Sequence, residues 1–194
     1  MSRPNQTCGF TLVEVMVAVF VLSVGMLGIA ALQVTSKRTN FEAVQRSTAT
    51  LLAQELLERM RTNSDQLTVY TAAGAGRTLT LATGDGVTAT NCTTASCASD
   101  TLAMYDLYEF SEALRGATEV NGAIATGGLV TPTVCITGAE IRPGYVGIAI
   151  AWRGTTKLRN PSSNACGATS GRYDASDGGA DLYRRVLFVN TFVD

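Results

Sequence analysis

The longest pattern in the chain is an apolar run near its amino terminus. No side chain between Val15 and Ser36 carries a charge, and the run is 22 residues long. As a helix rising about 1.5 Å per residue, it would extend roughly 33 Å. The hydrocarbon core of a bilayer is about 30 Å thick. The run therefore predicts a membrane-spanning helix over about residues 10–36.

After this run the apolar residues recur at spacings of three and four, while Glu55, Glu58 and other polar side chains occupy the opposite face. The polar residues Thr62–Asp65 favour a turn at the end of the pattern. We therefore predict one helix over residues 10–62, with an amphipathic second half. The apolar positions of that half are Ala49, Leu52, Ala53, Leu56, Leu57 and Met60.

Residues 63–194 contain shorter patterns. Helical spacing over Thr101–Arg115, between Asp100 as N-cap and Gly116, predicts one short helix. Turn residues separate the later strands, so an antiparallel sheet is expected. The predicted fold is α+β, with the long helix packed through its amphipathic half on this sheet. The expected strands are Thr133–Thr137, Val146–Trp152 and Arg185–Val193, with weaker candidates at Arg77–Ala82 and Val87–Ala89.

A single carboxylate, Glu14, lies just ahead of the uncharged run. An ionised side chain in hydrocarbon costs about 2.5–3.5 kcal/mol, which makes Glu14 a functional candidate with a partner to be found. Cleavage between Gly9 and Phe10 would create such a partner, the α-amino group of Phe10. The alternative is that Glu14 is tolerated close to the membrane interface by snorkelling.

The motif Gly9-Phe10-Thr11-Leu12-Val13-Glu14, followed by an uncharged helix, resembles the processing signature of type IV prepilins and the related secretion pseudopilins. The resemblance implies that residues 1–9 are a leader, which a prepilin peptidase removes by cutting after Gly9. It also implies that the same enzyme methylates the amine of Phe10, and that Glu14 guides docking into a filament.

The same resemblance implies a pilin-like fold and a single-pass protein of the bacterial inner membrane, with residues 63–194 as a periplasmic head. After assembly the chain would be part of the pilus. The competing interpretation is an ordinary secretory signal, with Arg3 as its positive region and a cut near Gly28-Ile29-Ala30. Its apolar region is longer than the usual one, which has about 7–15 residues.

The segment from Gly9 to Arg61, especially Gln45–Arg61, is similar to PilV-type minor pilins, and so is Tyr183–Val189 near the end of the chain. This similarity implies a low-abundance subunit that joins other minor pilins and the major pilin, primes pilus assembly with the inner-membrane assembly machinery, and stays near the filament tip. A type II secretion minor pseudopilin, or a tip module that binds DNA or a surface, remains an alternative.

The chain has five cysteines, and one of them, Cys8, lies in the proposed leader. Removing the leader leaves an even number, which suits an oxidising compartment such as the periplasm. Three connectivities remain possible; we favour Cys92–Cys97, which brackets a compact turn, and Cys135–Cys166, which ties two late segments together. A zinc site is disfavoured because the usual C-x₂-C pairs are lacking.

Composition argues against catalysis and nucleic-acid binding. The chain has no histidine and a formal net charge of −1, so it lacks both the usual general base and a basic footprint. We expect no enzyme activity and no cofactor. Several basic residues in the last third would form a patch only if folding gathered them; otherwise they are solvated surface charges. These residues are Arg153, Lys157, Arg159, Arg172, Arg184 and Arg185.

Two more features have a functional and a structural interpretation. Asp174, Asp177 and Asp181 are a weak candidate for a cation site, although their spacing does not match an EF-hand and a solvated turn is the simpler explanation. The aromatic residues Tyr105, Tyr108 and Phe110 are either a recognition surface or, more simply, packing at the edge of the core.

Overall fold

The computed structural model describes residues 9–72, 77–80, 90–94, 96–117, 119–122, 124–138, 144–158 and 163–193. The chain forms two compact units, the first ending at Phe41 and the second beginning at Glu42. Helix α1, Leu12–Thr62, contributes to both. The predictions for leader residues 1–8, including Cys8, and for a strand at Val87–Ala89 lie outside the described residues.

In the first unit, every residue from Gly9 to Phe41 is exposed. An 18-residue window of this helix has a mean hydropathy of 2.6, so α1 is long and apolar enough to cross a membrane. The hydroxyl groups of Ser23 and Thr35 donate to the helix carbonyls of Phe20 and Ala31, at 2.7 and 3.2 Å. These polar groups are therefore satisfied without water, as hydrocarbon requires.

In the second unit, one face of α1 enters the core. The six apolar positions predicted from their spacing are all buried, and Gln45 extends the same face. Helix α3, Ser99–Arg115, contributes a second apolar face to this core. The predicted helix is confirmed, but it begins two residues earlier than expected, with Ala98 and not Asp100 as the N-cap. Gly116 ends the helix with a φ of 70°. The buried apolar residues of α3 are Ala103, Leu107, Phe110 and Leu114.

A four-stranded antiparallel sheet completes this core and confirms the predicted α+β fold. The strands are β1 Arg77–Thr80, β2 Val120–Asn121, β3 Ile124–Ala125, β4 Thr133–Gly138, β5 Tyr145–Arg153 and β6 Arg184–Phe192. The order in the sheet is β1-β4-β5-β6, and β2 and β3 form a separate two-stranded hairpin. Strand β5 is central, and its residues from Val146 to Trp152 are all buried, which explains its nearly continuous small and apolar sequence.

The segment that follows α1 is more helical than expected. A 3₁₀ turn at Ser64–Gln66 leads into the short helix α2, Leu67–Tyr70, for which the sequence patterns predict no helix. The Thr and Val in this segment lower helix propensity. Burial of Leu67 and Tyr70, three residues apart on one face, outweighs that preference.

Two disulfides tie the second unit together. Cys92 and Cys97 are linked with their Cα atoms 5.6 Å apart, and Cys135 and Cys166 with theirs 5.8 Å apart. These are the two pairs that the sequence favoured. The second bridge joins β4 to the segment after β5 across 31 residues of chain, so it holds the loop at 163–183 against the sheet.

Candidate functional site

The amino-terminal motif forms the first turn of α1. Thr11 is the residue before the helix, and its hydroxyl and carbonyl accept the backbone N–H of Glu14 at 3.3 and 3.1 Å. Thr11 therefore caps the helix through its hydroxyl. Glu14 lies in the first turn, where the helix dipole favours a negative charge.

The carboxylate of Glu14 itself has no ion pair or hydrogen bond within the part of the chain that the structure describes. The next ionisable side chain along the sequence is Lys37, which is more than thirty ångströms away along a helix rising about 1.5 Å per residue. Phe10 is 82% exposed. The motif thus presents an unpaired carboxylate and an exposed aromatic residue at the start of an apolar surface.

That surface also has two places where a neighbouring helix can approach closely. A Cβ atom added at Gly25 or Gly28 would meet nothing within 4 Å, so packing within the first unit does not require glycine at either position. Small residues allow membrane helices to approach one another. The glycines are therefore available for contact with another helix.

In the second unit, Glu42 fixes α1 to the end of the sheet. Its Oε1 accepts the backbone N–H of Thr155 at 2.7 Å and its hydroxyl at 2.9 Å. Arg185 donates from Nη2 to Oε1 at 3.1 Å and from Nε to Oε2 at 3.0 Å. Burial alone would raise the pKa of Glu42, but the bonds from Thr155 and Arg185 outweigh it and lower this pKa.

A second charged cluster joins α1 to α3. Arg59 donates from Nη1 to Asp106 at 3.0 Å and to Glu109 at 2.6 Å, and from Nη2 to Glu55 at 2.8 Å. The hydroxyl of buried Tyr70 donates to the other oxygen of Asp106. Burial, followed by this bond, raises the pKa of Tyr70. Arg59, expected on the solvent face, is instead partly buried, because three carboxylates surround it.

An open groove of about 470 Å³ lies beside this cluster, between α1 and α3. Tyr105 and Tyr108 line it, with ring centroids 6.3 Å apart, so these two belong to a surface, whereas Phe110 is in the core. Burial alone would raise the pKa of Glu109, but its bond from Arg59 lowers it. Glu109 is therefore held ionised by its ion pair with Arg59.

The three aspartates of the candidate cation loop do not converge. Asp174 accepts the backbone N–H of Asp181 at 2.8 Å, Asp177 pairs with Lys157, and Asp181 accepts the backbone N–H of Thr169 at 3.1 Å. Each carboxylate thus has a different local task. Within the described ranges, no cluster of three or more metal-ligating side chains is found.

Two of the described basic residues of the last third are bonded within the protein and do not form a free basic surface. Arg153 bonds the carbonyls of Arg172 and Asp174 and lies over the ring of Tyr183, at 4.5 Å from its centroid. Arg184 is buried and donates to the carbonyl of Cys166 at 2.8 Å. These cations serve the fold, and Arg159 lies outside the described residues.

Sequence reasoning missed the Glu42 and Arg59 clusters. Glu42 precedes Gln45 and Ala49 by three and seven residues, so the helical spacing already placed it on the buried face. That spacing was the available signal. Nothing in the sequence indicated Arg185 as its partner, 143 positions away.

Two family matches cover the chain from residue 4 to residue 108. Residues 4–30 match the prokaryotic N-terminal methylation motif, and residues 31–108 match a family described as type IV pilin Tt1218. The first match includes Gly9, Phe10 and Glu14, and the second extends from the apolar part of α1 into α3. No curated protein and no solved structure matches the chain significantly.

Proposed function

We propose that this chain, which belongs to the type IV pilin family, is a minor pilin. In this role it is a low-abundance structural subunit that joins other minor pilins and the major pilin, primes pilus assembly and sits near the filament tip. The observation that carries the proposal is the start of α1, where a capped first turn presents an unpaired Glu14 directly ahead of an exposed apolar surface.

In this proposal the chain is first processed and inserted at the inner membrane. Prepilin peptidase removes leader residues 1–9 by cutting between Gly9 and Phe10, and the new amine of Phe10 is methylated. Residues 10–36 span the membrane as the first part of α1, and residues 63–194 form a head in the periplasm. The two disulfides support this location, since such bonds persist in oxidising compartments.

Assembly in this proposal depends on an ion pair formed in an apolar environment. An unpaired carboxylate inside hydrocarbon is costly, and the amine of Phe10 from a neighbouring subunit offers a charge-assisted partner. Glu14 therefore favours the docked subunit over the free one. Gly25 and Gly28 allow the neighbouring helices to approach closely while this pair forms.

The head acts through contacts and not through turnover in this proposal. Its ionisable clusters are ion pairs that hold α1 to the sheet and to α3. Bonding within these pairs keeps Glu42 and Glu109 ionised at neutral pH, with pKa values below the ordinary range. Side chains fixed in this way are suited to a rigid scaffold.

Replacing Glu14 by Ala tests the assembly role. The backbone N–H of residue 14 still bonds Thr11 in Glu14→Ala, so the cap remains and membrane insertion is expected to be unchanged. Recovery with the other minor pilins should fall at least about tenfold, corresponding to about 1.4 kcal/mol of lost docking energy. The matched control is Thr11→Val, which removes the capping hydroxyl and keeps the carboxylate.

Equal recovery of the wild type and Glu14→Ala with the other minor pilins would contradict the docking role. The identity of the co-purified subunits separates the two assemblies that share this type of amino terminus. If the co-purified subunits belong to a type II secretion system, the proposed assembly is a secretion pseudopilus and not a pilus.

A further inference from the structure

Strand β6 forms one side of the sheet, and no other strand of the described residues pairs with its outer edge. Val193 donates its N–H to the carbonyl of Gly144, and Gly154 donates to that of Tyr183, both at 2.8 Å. Backbone groups alternate in direction along an antiparallel strand. The odd-numbered residues of β6 therefore bond β5, and the N–H and C=O groups of Val186, Phe188, Asn190 and Phe192 point away from the sheet.

Among the described residues these outward groups bond no other strand, and the one that has a partner is the carbonyl of Phe192, which accepts from the hydroxyl of Thr191 at 3.3 Å. No backbone hydrogen bond reaches them from another described segment. The side chains of Phe188 and Phe192 on the same strand are 46% and 53% exposed. The edge thus combines free backbone groups with exposed aromatic area.

The usual protections of an edge strand are lacking along β6. The seven residues Val186–Phe192 contain no charge and no proline, which are two common devices that prevent strand pairing. The two arginines that begin the strand do not protect it, because Arg184 and Arg185 are buried and bonded elsewhere. An uncharged strand of this composition pairs readily with another chain.

We infer that the open edge of β6 is a docking surface, at which the first sheet strand of another pilin subunit's head adds in antiparallel orientation. The inference rests on the proposed function, in which this chain assembles with other pilins. It gives that assembly a second contact, made in the head by backbone hydrogen bonds and separate from the pairing at Glu14.

The direction of the strands selects this partner edge. Because neighbouring strands alternate in the order β1-β4-β5-β6, β1 runs antiparallel to β6. A second head of the same sheet order, displaced sideways, therefore brings its first strand to β6 in antiparallel register and keeps both long helices pointing the same way. Subunits anchored in one membrane require that arrangement. Antiparallel pairing of two β6 strands would reverse one of the helices.

Proline at Asn190 tests the backbone contact. The N–H of residue 190 points outward, so Asn190→Pro removes a donor that a partner strand could use. The substitution leaves the hydrogen bonds to β5 intact. Edge strands tolerate proline at such positions. The matched control is Asn190→Ala, which changes the side chain and keeps the N–H. In cells that assemble the pilus, we expect Asn190→Pro to lower recovery with the other minor pilins about tenfold or more, and Asn190→Ala to behave as wild type.

Folding of the proline variant is checked by its urea unfolding midpoint, followed through Trp152, the single tryptophan. A photoreactive phenylalanine analogue at residue 190, in the otherwise unaltered full chain, provides a test that does not depend on the proline variant. Cross-links that map to an edge strand of another pilin head support the inference. Cross-links only to helices, or to β6 of a second copy, overturn it.

The two proposals fail differently in this experiment. If the wild-type chain does not co-purify with other minor pilins, the minor pilin function is wrong. If the wild type co-purifies and the folded Asn190→Pro variant does so equally well, the function stands and the docking edge is refuted.

Discussion

The bond network around Glu42 makes the sharpest prediction about the head. In Glu42→Gln one carboxylate oxygen becomes an amide N–H₂, which cannot accept the bond from Nε of Arg185. The guanidinium then loses its counter-ion while it stays mostly buried, since only 10% of the Arg185 side chain is exposed. The variant should therefore be less stable although it keeps the shape of the side chain.

The size of the effect follows from the burial of the pair. Breaking a fully buried ion pair costs about 3–5 kcal/mol, and a hydrogen bond to a charged group contributes about 1.5–3 kcal/mol. Glu42 is 23% exposed, and the amide oxygen of Gln can still accept from Thr155. We therefore expect a loss of about 2 kcal/mol in the free energy of unfolding, below the limit for complete burial.

Urea unfolding of the full chain in detergent micelles measures this loss. Trp152 is 4% exposed and reports the core of the second unit. With a slope of about 2 kcal/mol per molar urea, the midpoint should fall by about 1 M. The control is Glu58→Gln, because Glu58 is 66% exposed in its pair with Arg61 and should contribute less than about 0.5 kcal/mol. Equal midpoints for the two variants would refute this reasoning.

The same pair predicts how stability depends on pH. The pKa of Glu42 is lower in the folded chain than its ordinary value of 4.5, so the unfolded chain takes up the proton first as pH falls. The stability from Glu42 is present above about pH 4.5 and is lost as pH falls through the lower, folded pKa. The difference between the wild type and Glu42→Gln should shrink over that acid range. A constant difference down to complete protonation would contradict the assignment.

Two further predictions concern the core and the disulfides. Leu56 is fully buried, so Leu56→Ala should lower the free energy of unfolding by about 3 kcal/mol. The matched control is Leu51→Ala, because Leu51 is 63% exposed; this variant should change the free energy of unfolding by less than about 0.5 kcal/mol. Replacing Cys135 and Cys166 together by Ala should cost about 4 kcal/mol, against about 2 for the shorter Cys92–Cys97 bridge, because the longer loop restricts the unfolded chain more. Urea unfolding midpoints test both predictions. Equal losses of stability in Leu56→Ala and Leu51→Ala would contradict the role of burial, and equal losses for the two disulfides would contradict the role of loop length.

Periodicity was enough to predict the main elements of the fold. The spacing of Ala49 through Met60 identified the buried face of α1, and the end expected at about residue 62 agrees with Thr62. The strands expected at Thr133–Thr137 and Val146–Trp152 were each found within one residue of their bounds. These elements are set by local patterns of burial, which a sequence displays directly.

The head's polar contacts were beyond such reasoning. Glu42 and Arg185 meet because β6 begins beside α1, and no local pattern encodes a pairing 143 positions apart. The short helix at Leu67–Tyr70 was missed for a related reason, since Tyr70 is held by a hydrogen bond to Asp106 on α3. Tertiary contacts of this kind decide the structure where local propensity is weak.

Mass spectrometry of the mature amino terminus tests the central claim most directly. The account predicts a chain that begins with N-methylated Phe10 when it is isolated from cells that contain the prepilin peptidase, and an uncut chain when that enzyme is absent. A mature chain beginning at Ala31 would instead establish an ordinary secretory signal. That result would remove the membrane helix and Glu14 from the functional protein, and with them the proposed assembly mechanism.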